Sequence, residues 1–140
     1  VERAEERLKE KGLAANLAVL DMRKNFPYKD EVFDAIVTIR VIHHALLQVI
    51  KKTIAEIKRT LKKVGYFYAE VPSRPRNLHD DNSKRKIVEP RTRIPLEGPE
   101  KGIPHHDFTE KEIYQVLRDF EIQEIRKKDS HFHILAKKKS

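Results

Sequence analysis

The chain has 140 residues, the length of one ordinary domain with a single core. Hydrophobic residues make up 39% and charged residues 37%, which suits a folded protein with an ion-dense surface. No run approaches the length of about eighteen apolar residues that a membrane helix needs, and the lack of cysteine excludes disulfides and thiolate metal sites. Thirty basic residues against 22 acidic ones leave a net charge of +8. Such a surface attracts a polyanion such as RNA through phosphate contacts, or is simply a solvated face of scattered lysines. With no export signal and no cysteine a cytoplasmic protein is expected. Abundant Lys and Glu with a single Met resemble proteins from hot environments.

Residues 1–11 favour a helix, and Gly12 stands where a left-handed C-cap is wanted. The chain begins with Val1 and reads as if starting in mid-helix, so a cut, processed or fragmentary chain is expected. Residues 17–20 form a short apolar run ending at Asp21, a predicted buried strand. Residues 21–32 are polar, contain Pro27 and predict a loop. Residues 33–39 are rich in β-branched types and predict a central strand buried on both faces. From 45 to 61, Leu46, Ile50, Ile54, Ile57 and Leu61 recur at helical spacing, with Lys51, Lys52, Lys58 and Arg59 mostly opposite. Gly65 is expected to break this helix before a strand at 66–71 that stops at Pro72. Strand, helix, strand in that order predicts a βαβ unit with parallel strands.

Residues 72–104 hold six of the seven prolines, with Gly98 and Gly102. So long a loop in a compact domain is a lid, a substrate-binding insertion or a disordered segment; the insertion is placed at 72–108 within a single domain, 1–140. Thr109 and Glu112 have the spacing of a capping box, and Ile113, Val116, Leu117 and Phe120 give the following helix an apolar face. Two strands are expected near 120–126 and 131–137. No internal repeat appears.

Taken in order, four stretches resemble the class I S-adenosylmethionine-dependent methyltransferases. LDMRKNFPYKDEVFDAIV is similar to that family's acidic residue, Pro-aromatic loop and Phe-Asp strand opening. TIRVIHH is similar to the end of its fourth strand, and EIKRTLKKVGYFYAEVP to the helix and turn before its fifth. EGPEKGIPHHDFTEKEI resembles a His-containing segment and capped helix near the end of some members. Lys63 and Val64 stand where the family's turn has Pro and its first Gly, and Arg40 where a small residue is common.

The resemblance implies a Rossmann-like α/β sheet with helices on both faces, here without the first two strands and their glycine-rich cofactor loop. It implies S-adenosylmethionine as cofactor, with Asp21 accepting from the adenine amino group beside the Met22 backbone. Ile39 and Arg40 would line the methionine end through backbone atoms. The methyl acceptor would be a small molecule or RNA. Without the loop, weakened cofactor binding is expected, and a homodimer or strand exchange would cover the exposed sheet edge.

The histidine pairs 43–44 and 105–106 admit three readings. As general bases, His44, His105 and His106 suit removal of an acceptor proton near neutral pH; His44 is the one the resemblance matches. As metal ligands, His43, His44, His105, His106 and Asp107 would have to converge. Neighbours on a helix point about 100° apart, so each pair would offer one ligand, and no metal is expected. The third reading is a structural histidine bonded to backbone. A non-catalytic basic RNA-binding or partner-binding module on the same fold is the alternative to an enzyme, and a metal-dependent hydrolase built on the histidines comes third.

Overall fold

A computed structural model describes residues 1–73 and 84–140; part of the expected insertion, 74–83 with Pro75, lies outside the described residues. Helix α1 (Glu2–Glu10) closes as a Schellman motif. Gly12 at φ 63° donates to the Lys9 carbonyl at 3.1 Å, and the Leu13 N–H to that of Leu8 at 2.8 Å. This polar helix buries no residue.

The strand expected at 17–20 does not form. The segment belongs to no strand, and Val19 is 82% exposed. A strand needs a ladder to pair with, and residues 17–20 pair with none of the described strands. The first strand is β1 (Phe33–Ile39), followed by α2 (Leu47–Thr60) and β2 (Leu61–Pro72). β1 and β2 pair in parallel across α2, as the strand–helix–strand order predicts. The main sheet runs β1–β2–β7–β6, where β6 (Phe120–Lys128) and β7 (His131–Lys138) form an antiparallel hairpin. Its turn residues Asp129 and Ser130 take φ 48° and 62°, the left-handed pair that matches strand twist.

Two expectations are corrected in this sheet. β1 is an edge strand rather than a central one, because among the described residues it pairs only with β2; Val37 is 61% exposed and Ile39 56%. Nor does Gly65 break α2. The helix ends at Thr60 and β2 starts directly at Leu61, so Gly65 lies within the strand. A Cβ there would meet the Asp34 carbonyl, Leu61 Cγ and the Lys62 carbonyl, each at 2.9 Å. Glycine is required by the close approach of β1 and of β2's own first residues, Leu61 and Lys62, not by a helix end.

The core forms on one sheet face. Ile50, Ile54 and Ile57 of α2 pack with Phe67, Ala69 and Val71 of β2 and with Phe132, Ile134 and Ala136 of β7. Helix α3 (Glu110–Val116) adds Ile113, and the turn that follows it is joined to α2 through Lys58 and Asp119, 3.2 Å apart. The opposite face carries the half-buried Tyr68 and the exposed Tyr66. Helices α2 and α3 share the core side of the sheet, while the polar α1 buries no residue.

The described part of the 72–108 segment is not a plain loop. Its strands β3 (Arg85–Glu89), β4 (Thr92–Pro95) and β5 (His105–His106) make a second, antiparallel sheet. At its end Thr109 caps α3, its hydroxyl accepting from the Glu112 N–H at 3.1 Å as the capping-box spacing predicts. Among the described residues no helix is long and apolar enough to cross a membrane.

Candidate functional site

The site lies at the carboxyl ends of β1 and β2, where open α/β sheets place ligands. Arg40 ends β1 in a left-handed conformation, φ 54°. Its N–H donates to the Glu70 carbonyl at 3.0 Å and its Nε to Glu70 Oε1 at 2.6 Å. This guanidinium holds the Glu70 carboxyl below its ordinary range. The chain then runs through an irregular turn carrying His43 and His44 before α2 begins. Glu89 of the second sheet accepts from the Leu47 N–H at 2.6 Å, so the insertion caps the open amino end of α2.

The two histidine pairs meet. The His106 N–H donates to the His43 carbonyl at 2.9 Å, and β5 is held to β4 with Arg93 opposite His105 and Thr92 opposite His106. His43, His44 and His105 point into one place, their nearest ring nitrogens all within 4.8 Å of one another. Because His43 and His44 sit in a turn, the 100° helical divergence does not apply to them; their ring centroids are 3.9 Å apart. Burial, then the neighbouring His44 and His105, pushes His43 down to about 3. His105 is lowered too, chiefly by burial.

His106 has a different setting. It is fully buried, with Nδ1 2.7 Å from the Thr92 hydroxyl and Nε2 2.8 Å from Glu112 Oε2. Both ring nitrogens are engaged, so it ties β4 to α3. Glu112 therefore spends its carboxylate on His106 rather than on the return half of the capping box. Asp107, also buried, pairs with Arg93.

Two cavities flank His44. One, of about 510 Å³, is lined by Arg40, His43, His44, Arg93, Glu100 and His105, among others. The other, of about 750 Å³, is bounded by Val19, Leu20, Asp21, Met22, Val41 and Val49, again with His44. The 21–30 loop is fastened there by α2: Thr53 donates to the Met22 carbonyl at 3.0 Å, Glu56 accepts from the Phe26 N–H at 2.8 Å, and Arg59 reaches the Tyr28 and Phe26 carbonyls. The Asp21 carboxylate is gripped by Arg23 Nε and Nη2, each at 2.9 Å, which holds its pKa down at about 2.

Of the four residues expected at the cofactor, Asp21 and Met22 line the larger cavity and Arg40 the smaller. Ile39 is half-exposed at the end of β1. Sequence reasoning missed Glu89, Thr92 and Arg93. Their partners Leu47, His106 and Asp107 lie 42, 14 and 14 residues away, and no local spacing encodes such contacts.

A family model described as a methyltransferase domain matches residues 1–69, a span that includes Asp21, β1, His43, His44 and α2. A search of curated proteins finds no match. Among solved structures, the PH0226 protein from Pyrococcus horikoshii OT3 superimposes with a TM-score of 0.75 at 19% identity, covering 99% of this chain and 66% of that one. A SAM-dependent methyltransferase from Methanosarcina mazei gives 0.75 at 22% identity, covering 99% and 76%. The 1,6-didemethyltoxoflavin-N1-methyltransferase of Burkholderia thailandensis, solved with S-adenosylhomocysteine, gives 0.70 at 14% identity, covering 98% and 56%. The chain thus spans less than two thirds of the first and third of these. Residues 1–69 thus match a methyltransferase-domain family model, and the whole chain has the mixed α/β fold of solved SAM-dependent methyltransferases.

Proposed function

We propose that the chain takes part in methyl transfer from S-adenosylmethionine to a small-molecule acceptor, with the cofactor in the 750 Å³ cavity and the acceptor in the 510 Å³ one. The observation that carries this is the position of His44, the side chain common to the walls of both cavities. The larger cavity suits an adenosyl group in its chemistry: apolar walls from Val19, Leu20, Val41 and Val49, with one carboxylate, Asp21, at the edge. Asp21 Oδ1 accepts from both the Arg23 backbone N–H and Nε, at 3.0 and 2.9 Å, so an amino group would bond to Oδ2, whose one short bond is from Arg23 Nη2 at 2.9 Å. The smaller cavity is within the size range of small-ligand sites. The segment 72–108 supplies much of its wall, which supports reading that segment as the acceptor-binding insertion.

When bound, the cofactor supplies an electrophilic sulfonium methyl. What the chain's residues contribute is placement, since alignment of the two partners is the main catalytic demand of such a displacement. His44 and His105 are on the acceptor wall and can take a proton where the nucleophile carries one. His106 has no nitrogen to spare for that task.

Gly12 caps α1, Gly65 is locked inside β2, and Gly98 and Gly102 lie in turns, so no glycine loop follows a described strand. The chain alone is therefore expected to bind S-adenosylmethionine more weakly than about micromolar. Titration calorimetry tests this reading: Asp21→Ala should lower the affinity by about tenfold, the worth of one charge-assisted hydrogen bond. Unchanged affinity would remove Asp21 from the site. Salt-dependent RNA binding with no cofactor affinity would favour the non-catalytic basic module instead. The free edge of β1 is, in the same reading, where a second copy of the chain adds a strand.

A further inference from the structure

We infer that His43, His44 and His105 form a binding site for a late first-row divalent cation such as Zn²⁺, set in the wall of the 510 Å³ cavity. Three imidazoles from two distant segments converge, held by the backbone bond from His106 to His43 and by the pairing of β4 with β5. A second observation points to a missing ligand. His43 Nδ1 and His105 Nε2 are buried and have no hydrogen-bond partner, although buried polar atoms are nearly always partnered. His43 itself is only 7% exposed.

The spacing is suitable. Zinc–nitrogen bonds of about 2.0–2.1 Å in a tetrahedron set ligand nitrogens about 3.3 Å apart. From separations of up to 4.8 Å, that asks for ring movements of about an ångström, and the half-buried His44 and His105 have room to make them. Neutral imidazoles select Zn²⁺, Co²⁺, Ni²⁺ or Cu²⁺, whereas Mg²⁺ and Ca²⁺ require oxygen donors. Glu100 has a carboxylate oxygen 3.5 Å from His105 Nε2, close enough to take the fourth position. With Glu100 outside the coordination sphere, that fourth position is open to the 510 Å³ cavity, where a ligand's oxygen, nitrogen or sulfur would reach the ion. The site stands on this geometry and does not require the methyl-transfer reading.

The test uses the untagged chain, stripped with a chelator and then titrated with Zn²⁺ by calorimetry and with Co²⁺ by visible absorption. One ion per chain is expected, with a Co²⁺ spectrum of tetrahedral type and no competition from Mg²⁺. His44→Gln and His105→Gln should each weaken Zn²⁺ binding at least about tenfold while circular dichroism stays that of the parent. His133→Gln, whose ring instead meets Tyr68, should bind as the parent does. The inference is overturned if no ion binds, or if binding is the same in the His44 and His105 variants. Loss of binding in His133→Gln equal to theirs would overturn it as well.

Discussion

Val64 adopts φ 56° although its side chain is β-branched and 53% exposed. The left-handed region costs an L-residue about 1–2 kcal/mol, and a β-branched one is especially ill suited to it. Glycine adopts it freely but loses about 0.5–1 kcal/mol of chain entropy on folding. Val64→Gly is therefore expected to stabilise the protein by about 1 kcal/mol, raising the melting temperature by a few degrees. A lowered melting temperature in a thermal scan would mean that the valine side chain contributes packing this balance omits. Arg40 and Arg91 share the left-handed conformation, φ 54° and 65°, but are held there by partners. Arg40 is fixed to Glu70, and the Arg91 guanidinium donates to the Asp107 and Phe108 carbonyls at 2.6 and 3.1 Å. Both flank the histidine cluster, and strained backbone of this kind gathers where a site must be held in one geometry.

At the scale of elements, the approach of β1 to β2 determines where the turn with His43 and His44 begins. Gly65 sets that approach, since an added Cβ meets the Asp34 carbonyl of β1 at 2.9 Å, and the Lys62 carbonyl of β2 itself at the same distance. Gly65→Ala should cost about 1–3 kcal/mol, read as a lower urea midpoint at unchanged slope. A midpoint equal to the parent's would indicate that the two strands can separate without loss. The second sheet acts on the same place from the other side. It supplies Glu89 to the open end of α2 and His106 to Glu112 of α3, so three elements are tied together by side chains.

For the whole molecule, the feature with the largest consequence is the edge of β1 that no described strand pairs. Val37 and Ile39 are exposed on it, and an apolar edge strand is a template for another strand. The chain is expected to self-associate with rising concentration, and Val37→Lys to return it to the monomer, as followed by light scattering coupled to gel filtration. A parent chain monomeric at all concentrations would show that its edge is not used in this way.

Much of the fold was legible in the residues. The 3.6-residue apolar spacing from Leu46 to Ile57, the β-branched run at 33–39 and the Thr109–Glu112 cap are local patterns, and local patterns fix elements. Residues 17–20 are apolar yet form no strand, because apolarity makes a strand only where the segment pairs with a neighbouring ladder. For the same reason β1 was read as central: burial depends on what lies alongside, which a single segment does not encode. The candidate site was half legible. Asp21 and the two histidine pairs drew notice as residue types, and the family resemblance supplied their setting. That His43, His44 and His105 converge while His106 turns away into Thr92 and Glu112 was decided by tertiary structure alone. The two pairs are about 60 residues apart, and only folding the second sheet against the end of β1 brings their rings together.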